Sequence, residues 1–576
     1  MQGTYFGGLN GSAISAYRAA EAKDAMERRQ FLMNSAMSGA LFALSGARAF
    51  ADSADAQIDI FVDEPLAVIS PNLYGQFTEH IGGVIYDGVW VGENSKIPNQ
   101  YGIRTELIER LKRIHVPVIR WPGGCFADSY DWMDGIGPAA QRPKRTNFWE
   151  VDPDAARLHE KGKQVFEPNQ FGTNEFVRFC QMAGAQPYLA VNLRSLPPIS
   201  FDRWVEYCNS PAGSTTLADT RAAAGFPQPF DVRYWGVGNE SWGCGGNFTP
   251  EEYASEFRRY TSWLPGYGVD LQLIGSGPNG DDLDWTHRVF EQLFSDHPYD
   301  NPQFAGWSVH YYASNLSRGR TSDWIKSKGD ALAFEAIDWY ELMRQCNRIE
   351  QIIQDQWTAM GQYDTAHRIK LVIDEYGPWY REGTEVDSTH IFGQQVTLRD
   401  ALATALTLDI FNRNAEKVSM AANAQLVNNL NALFLAHEDH IIATANYFVF
   451  EMYAAHQGGQ NLRALFSAPE VHYVRDGEPA RFWALNGSAS KKDKAVTLTV
   501  VNPDLTRAMN TQITLHGAKI AQARSTVLTN SDMHAHNTFD HPDTIKPAPL
   551  QVSISAGAAM LNIPPASVTK LEIAIS

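Results

Sequence analysis

Two stretches of this chain repeat one design, an apolar run that ends in a glutamate among glycines and aromatic residues. The first, at 231–246, alternates its side chains and reaches Asn239 and Glu240 just before a glycine-rich opening. The second, at 371–380, reads L-V-I-D-E-Y-G-P-W-Y and carries Glu375 in the corresponding place. Alternating apolar runs bounded by glycine and proline predict buried strands. The chain must therefore fold so that two strands each present a carboxylate where they end.

Two strand-end glutamates among tryptophans and tyrosines are what the hydrolysis of a glycosidic bond requires. One serves as acid and base, the other as nucleophile, and aromatic rings stack on the faces of sugars. Asp374 competes with Glu375 for the second role. Because neighbouring residues of a strand point to opposite faces, we expect only one of these two side chains to face the site.

The remaining sequence indicates two kinds of architecture. Across 69–465, strand patterns alternate with amphipathic helices, which predicts parallel strands joined by crossover helices. The candidate functional residues fall at strand ends, which favours an α/β fold with a closed (β/α)8 TIM barrel over an open sheet. Across 466–576, short alternating runs separated by Asn, Gly, Asp and Pro predict a C-terminal antiparallel β-sandwich. We expect the strand within 52–68 to pair with that sandwich.

Residues 1–51 are predicted to be an N-terminal extension with a twin-arginine export signal. Arg28 and Arg29 precede a mildly apolar stretch, and the segment ends in A-F-A, a small-x-small cleavage pattern. This pattern predicts a periplasmic or secreted protein, or a cytoplasmic one if the signal is not used. The alternative is an amphipathic helix that is not removed. Met26 as well as Met1 can be the true start.

The composition argues against several partners. A net charge of −17 and a pI near 5.4 disfavour nucleic acid and anionic membrane surfaces. Five cysteines are an odd number and too few for a disulfide scaffold. Cys125 and Cys244 each follow a glycine-rich strand end, so we expect them to lie close together beside the pocket, bonded or free. No cofactor is expected, and we expect a homo-oligomer.

Three motifs, W-G-V-G-N-E-S-W, V-I-D-E-Y-G and R-W-P-G-G-C-F-A-D, are shared with a known family. From about Ile58 to its C-terminus the chain resembles glycoside hydrolase family 51, the α-L-arabinofuranosidases. The resemblance implies a retaining, exo-acting enzyme that removes terminal non-reducing α-L-arabinofuranosyl residues from arabinose-containing plant polysaccharides and oligosaccharides. It implies Glu240 as the acid and base and Glu375 as the nucleophile. Because fold and carboxylate pair do not fix the sugar, an endo-acting glucanase or xylanase and a non-catalytic carbohydrate-binding barrel remain alternatives.

The resemblance also implies contacts to the sugar. Glu79, in T-E-H-I-G-G, matches a glutamate that binds the furanose. Asn239 matches an amide that bonds the hydroxyl next to the anomeric carbon, and Gln425 matches a glutamine that binds the sugar at the eighth strand. Cys125 stands where some members of the family carry an asparagine, so a hydrogen bond from this position to the sugar is not expected.

Three further site residues follow from their places on strands. Arg120 ends the second predicted strand, where a cation can keep a catalytic carboxylate ionised. His310 and Tyr312 lie in S-V-H-Y-Y, and strand alternation places both on one face. There the tyrosine can orient the nucleophile and the histidine can orient the acid and base.

Overall fold

The computed structural model describes residues 54–150, 166–294, 301, 303–383, 386 and 391–576. The predicted export signal lies outside these residues. A closed eight-stranded barrel and a second sheet of ten strands dominate the described part of the chain. Both belong to one structural unit, residues 55–576. This architecture confirms the predicted TIM barrel with a C-terminal β-domain.

The barrel consists of eight parallel strands, each hydrogen-bonded to its neighbours around a closed ring. In chain order, the first to eighth barrel strands are Gly75–Phe77, Val118–Trp121, Gln186–Val191, Tyr234–Val237, Gln272–Gly275, Phe304–Ala313, Lys370–Pro378 and Val418–Asn423. Val118, Tyr188, Ile274, Val372 and Met420 come from five different barrel strands and form a buried cluster of their own. These side chains fill the interior, so the barrel is a packed core that is open for chemistry only at its ends.

The described residues contain ten α-helices, most of which alternate with the barrel strands as the sequence predicts. They are Thr105–Arg113, Thr173–Ala183, Pro198–Asn209, Thr216–Ala223, Pro250–Thr261, Leu283–Phe294, Trp324–Ser327, Ala336–Gly361, Leu398–Arg413 and Ala445–Tyr453. The helix after the fourth barrel strand begins with Pro250 and a capping box between Thr249 and Glu252, which together fix its first turn. Within the described residues, no helix combines the length and the apolar character that crossing a bilayer requires.

The second sheet begins earlier in the chain than predicted. Its strands are Ala56–Val68, Gln460–Ser467, Asn486–Lys492, Ala495–Asn502, Met509–His516, Ile520–Thr529, Ala548–Leu550, Val552–Ser555, Ala558–Ile563 and Ser567–Ile575. Neighbours run antiparallel except Ala56–Val68 and Met509–His516, which are parallel. The predicted boundary between 465 and 466 is wrong, because Gln460–Ser467 pairs along its length with Ala56–Val68 inside this sheet.

Four two-stranded antiparallel pairs complete the β-structure of the described residues. They are Asn99–Gln100 with Ile103–Arg104, Arg145–Thr146 with Phe166–Glu167, Phe434–His437 with His440–Ala443, and Glu470–Arg475 with Glu478–Trp483. The first two belong to long loops that follow the first and second barrel strands. These loops therefore build up the carboxyl end of the barrel.

A buried polar network joins the barrel to the second sheet. The buried helix Leu398–Arg413 carries Asp409. Asp409 Oδ1 accepts hydrogen bonds from Ser488 and Thr499, both at 2.6 Å and both in the second sheet, and Oδ2 accepts one from Tyr453 at 2.8 Å. Burial raises the pKa of Asp409 to about 7, even though the hydroxyl donors lower it. The junction therefore carries a carboxyl group that the folded protein keeps protonated to higher pH than the unfolded chain does.

We expect Asp409→Asn to change how stability depends on pH. The folded pKa near 7 lies above the unfolded value of about 3.9. The stability that this group contributes is therefore fully present below pH 4 and is lost as the pH rises to about 7, at no more than about 1.4 kcal/mol per unit. The unfolding free energy of wild type minus that of Asp409→Asn, here called the gap, should decrease from pH 5 to pH 7 and then stay constant.

Urea unfolding of both proteins at pH 5, 6, 7 and 8 measures this gap. Asp540→Asn, at an exposed aspartate, is the matched control and should show a constant gap. A constant gap for Asp409→Asn as well would contradict the prediction.

Candidate active site

Glu240 and Glu375 meet at the carboxyl end of the barrel. Glu240 follows the fourth barrel strand and is half-buried, while Glu375 lies near the end of the seventh strand and is buried. A carboxylate oxygen of each and a ring nitrogen of His310 all lie within 4.8 Å of one another. Retaining glycosidases separate their carboxyl groups by about 5 Å, whereas inverting enzymes need roughly 6.5–9.5 Å to admit a water. The nearest oxygens of the pair are therefore closer together than the separation that inverting enzymes need.

Arg120, at the end of the second barrel strand, is a buried cation that connects three parts of the site. Its Nη1 donates to Glu375 Oε1 at 2.7 Å and its Nη2 donates to Asn239 Oδ1 at 2.5 Å. Its Nε lies 3.4 Å from Asp374 Oδ2. A guanidinium presents its donors in one rigid plane, so these partners are held in a fixed arrangement around it.

Glu375 is held at both carboxylate oxygens. Oε1 accepts from Arg120, and Oε2 accepts from the Tyr312 hydroxyl at 2.8 Å. Burial raises the pKa of Glu375 above its usual value, and the positive charges of His310 and Arg120 offset only part of that rise. The carboxylate therefore has a fixed orientation and two cations that stabilise its ionised form.

The expectation that only one of Asp374 and Glu375 faces the site is wrong, because the seventh strand contains a β-bulge. On the sixth strand, Ser308 pairs with Val372 and His310 pairs with Glu375. The sixth strand therefore advances by two residues where the seventh advances by three. The same extra residue occurs against the eighth strand, between Ile373 and Tyr376. A bulge interrupts the strict alternation of side chains, so both acids turn inward.

Asp374 and His310 complete a charged cluster below the pair. Asp374 accepts hydrogen bonds from Ser308 at 2.6 Å and Tyr188 at 2.8 Å. Burial would raise its pKa, but Arg120 and His310 hold it well below the usual range. Burial would lower the pKa of His310, but the surrounding carboxylates raise it to about 10. His310 is therefore a cation at neutral pH, and its two ring nitrogens face different carboxylates.

Glu240 stands on a tight loop and is bordered by a disulfide. Its backbone has φ +40°, a left-handed conformation that is uncommon for a residue with a side chain. His310 Nδ1 lies 2.9 Å from Oε1. Cys125 and Cys244 are joined, and their sulfurs lie 4.0 and 3.6 Å from Oε2. The two cysteines lie together as expected, and the structure bonds them.

Glu79 and Gln425 are hydrogen-bonded to each other at the same end of the barrel. Glu79 Oε1 accepts from the Phe126 backbone N–H at 3.0 Å, and Oε2 accepts from Gln425 Nε2 at 3.1 Å. Burial and the nearby charge of Glu375 raise the pKa of Glu79 to about 8. The loop after the second strand packs closely here, since a Cβ on Gly124 would lie 2.8 Å from Glu375 Oε1. The structure thus brings all eight sequence-predicted residues to one end of the barrel.

Sequence reasoning missed several residues that shape this site. Asp128 is buried and accepts from the backbone N–H groups of Asn239 and Leu193, at 3.1 and 2.7 Å, so it fixes two loops at once. Trp379 packs edge-on against Tyr312 at 5.0 Å, and the Lys328 ammonium lies 4.3 Å from its ring centroid. The tryptophan lies within the stretch 371–380, and Asp128 ends the motif R-W-P-G-G-C-F-A-D, so both could have been found there, whereas Lys328 carries no local signal.

Comparisons with known proteins agree with this geometry. One family model, the alpha-L-arabinofuranosidase 1 domain, matches residues 110–318, and another, the alpha-L-arabinofuranosidase C-terminal domain, matches residues 374–567. An intracellular exo-alpha-L-arabinofuranosidase of Bacteroides ovatus is 37% identical over 521 residues, which cover 90% of this chain and 95% of that protein. The chain belongs to the α-L-arabinofuranosidases of glycoside hydrolase family 51.

Solved structures of this family have the same fold. The GH51 arabinofuranosidase from Xanthomonas axonopodis pv. citri is 33% identical, with a TM-score of 0.81 over 90% of this chain and 100% of that one. An α-L-arabinofuranosidase from Thermotoga maritima, solved as an arabinose complex, is 27% identical, with a TM-score of 0.75 over the same shares. These comparisons confirm the predicted family, the glycoside hydrolase class and the exo-acting arabinofuranosidase function, and they do not favour the endo-acting alternative.

One prediction is wrong on the same comparison. The Bacteroides ovatus relative is named an intracellular enzyme, which points against the periplasmic or secreted location inferred from residues 1–51. That inference depended on a twin arginine, a mildly apolar stretch and a small-x-small pattern, which are short signals that chance can supply.

We expect Arg120→Lys to lower kcat at least about 100-fold on a nitrophenyl α-L-arabinofuranoside. An ammonium is a point charge, so it cannot donate to Glu375 and Asn239 in the same fixed plane, and small errors of position cost rate steeply. Steady-state kinetics measure the effect. Arg233→Lys, at an exposed arginine before the fourth barrel strand, is the matched control and should change kcat little. A kcat within threefold of wild type for Arg120→Lys would contradict the prediction.

Proposed function

We propose that this family 51 arabinofuranosidase works by retaining double displacement, with Glu375 as nucleophile and Glu240 as acid and base. The observation that carries the proposal is the approach of their carboxylate oxygens to within 4.8 Å. The different contacts of the two glutamates support the division of roles. Glu375 is buried and bonded to a permanent cation, whereas Glu240 is half-buried beside the open loop.

In the first step, Glu375 attacks the anomeric carbon as Glu240 gives its proton to the leaving oxygen. The hydrogen bonds from Arg120 and Tyr312 hold the attacking carboxylate in position. The glycosyl ester that forms no longer carries the negative charge of Glu375. In the second step, Glu240 removes a proton from water, and this water releases the sugar with the original configuration.

Three further residues are proposed to bind the terminal arabinofuranosyl group. Asn239 is fixed by Arg120 and is proposed to bond the hydroxyl beside the anomeric carbon. Glu79 and Gln425 are proposed to bond hydroxyls on the other side of the ring. Gln425 Oε1 is buried without a hydrogen-bond partner among the described residues, which leaves an acceptor for such a hydroxyl.

The proposed substrates are arabinose-containing plant polysaccharides and oligosaccharides from which terminal residues are trimmed. No cofactor takes part in the proposed steps. We assign the chemistry to the barrel, from residue 69 to 459, and we propose a supporting role for the second sheet. The homo-oligomer stays a prediction.

The two roles can be separated with alanine variants and two leaving groups. Glu375→Ala should abolish turnover of every substrate, and azide should restore it only with inverted product, because the anion then replaces the nucleophile. Glu240→Ala should still form the glycosyl-enzyme from a dinitrophenyl arabinofuranoside, whose leaving group needs no proton. On an arabino-oligosaccharide the same variant should lose about 10²–10⁴-fold in rate.

Pre-steady-state kinetics and NMR of the azide product test this division. In Glu240→Ala, a burst of dinitrophenolate followed by slow turnover is the expected result. If instead Glu375→Ala kept good activity on the dinitrophenyl substrate while Glu240→Ala lost it, the roles would be reversed.

A further inference from the structure

Two sulfurs lie beside the carboxylate of Glu240 at the border of the pocket, and the proposed mechanism does not use the sulfurs. Cys125 and Cys244 are bonded across 119 residues, with their Cα atoms 5.5 Å apart. One atom from each cysteine and one carboxylate oxygen of Glu240 lie within 4.8 Å of one another. All three residues are half-buried, so solutes that enter the pocket can reach them.

The other cysteines are placed quite differently. Cys180, Cys208 and Cys346 are free and buried. Burial raises the pKa of each of these thiols well above its usual range. A metal ion binds the thiolate and not the thiol, so these three are poor ligands. The pocket pair is therefore the only pair of sulfurs that an ion could reach among the five cysteines.

We propose that reduction of the Cys125–Cys244 disulfide creates a binding site for zinc or cadmium at the mouth of the active site. A phosphine or a dithiol supplies the two electrons. With a phosphine, the sulfur–sulfur bond breaks, water supplies the oxygen of the phosphine oxide, and two thiols form. On binding, the thiols lose their protons and the ion takes two thiolates and Glu240 as ligands.

The donor set suits these ions. Zinc prefers four ligands in a tetrahedron, with sulfur at about 2.3 Å and carboxylate oxygen at about 2.0–2.2 Å. Thiolates are soft ligands and favour zinc and cadmium over magnesium or calcium. His310 lies on the other side of the Glu240 carboxylate, because its Nδ1 contacts Oε1 at 2.9 Å whereas both sulfurs lie beside Oε2. Solvent fills the fourth position.

The site would act on the enzyme through Glu240. This consequence rests on the proposed function, because an ion bound to Glu240 Oε2 prevents that carboxylate from carrying the proton. The intact disulfide removes both thiolates and so protects the enzyme from the ion. Metal sensitivity is therefore expected only where a reductant has opened the bond.

The experiment compares oxidised enzyme with enzyme that a phosphine has reduced, after the phosphine is removed. The oxidised enzyme should have three free thiols and the reduced enzyme five, and a thiol count confirms the two states. Arabinofuranosidase activity is measured against zinc or cadmium. We expect half-inhibition at a concentration at least about 100-fold lower for the reduced enzyme, with recovery on addition of a chelator. Equal sensitivity of the two states would overturn the proposal.

Cobalt(II) gives a second readout that does not depend on activity. Reduced enzyme should show thiolate-to-cobalt charge-transfer absorption, and oxidised enzyme should not. Absence of the band in reduced enzyme would overturn the metal site. A band without inhibition would keep the metal site and contradict the role proposed for Glu240, so the two failures are distinguishable.

Serine variants locate the site. Cys125→Ser and Cys244→Ser each leave a single thiol at the pocket. In each variant, measured relative to its own rate without metal, inhibition should weaken at least about tenfold. Each variant should also lose the cobalt band. Cys346→Ser, which removes a buried thiol elsewhere, is the matched control and should behave like wild type after reduction. Unchanged metal sensitivity in both pocket variants would assign the effect to other ligands.

Discussion

The active site depends on one buried cation. Arg120 bridges the seventh strand, through Glu375 and Asp374, and the loop after the fourth strand, through Asn239. A guanidinium stays charged in a protein interior, so it can be buried only if carboxylates and amide oxygens surround it. This requirement fixes where the neighbouring side chains must lie. The position of Glu375 is therefore set by its bond to Arg120 as well as by its own strand.

Cations and carboxylates alternate across the site, starting from Arg120. His310 is a second cation, placed between Glu240 and Asp374. The bulge in the seventh strand is what lets Asp374 join the cluster, because a regular strand would turn it away. In the proposed glycosyl ester Glu375 is neutral, and Asp374 still faces both cations. The site therefore keeps a buried partner for them throughout the reaction.

The barrel and most residues of the site could be predicted from sequence, because a barrel brings its strand ends together and the motifs mark those ends. Glu240, Glu375, Arg120, His310 and Tyr312 were found in that way. The bulge at Asp374 could not be predicted, since it is visible only in the pairing with two neighbouring strands. The predicted start of the second sheet was wrong for a similar reason. Gln460–Ser467 belongs to that sheet because it pairs with Ala56–Val68, and this pairing is not visible in the sequence. The export signal was inferred from short patterns alone, and the intracellular relative points against the location it predicted.

The proposed role of Glu375 is to form a covalent glycosyl-enzyme. It is tested most directly with a 2-fluoro arabinofuranoside that carries a dinitrophenolate leaving group, since the fluorine slows both steps and the good leaving group restores the first. Wild-type enzyme is quenched and digested, and the labelled peptide is identified by mass spectrometry. We expect one sugar per chain, attached to Glu375. A label on Glu240 or Asp374, or no label while the substrate is being hydrolysed, would contradict it.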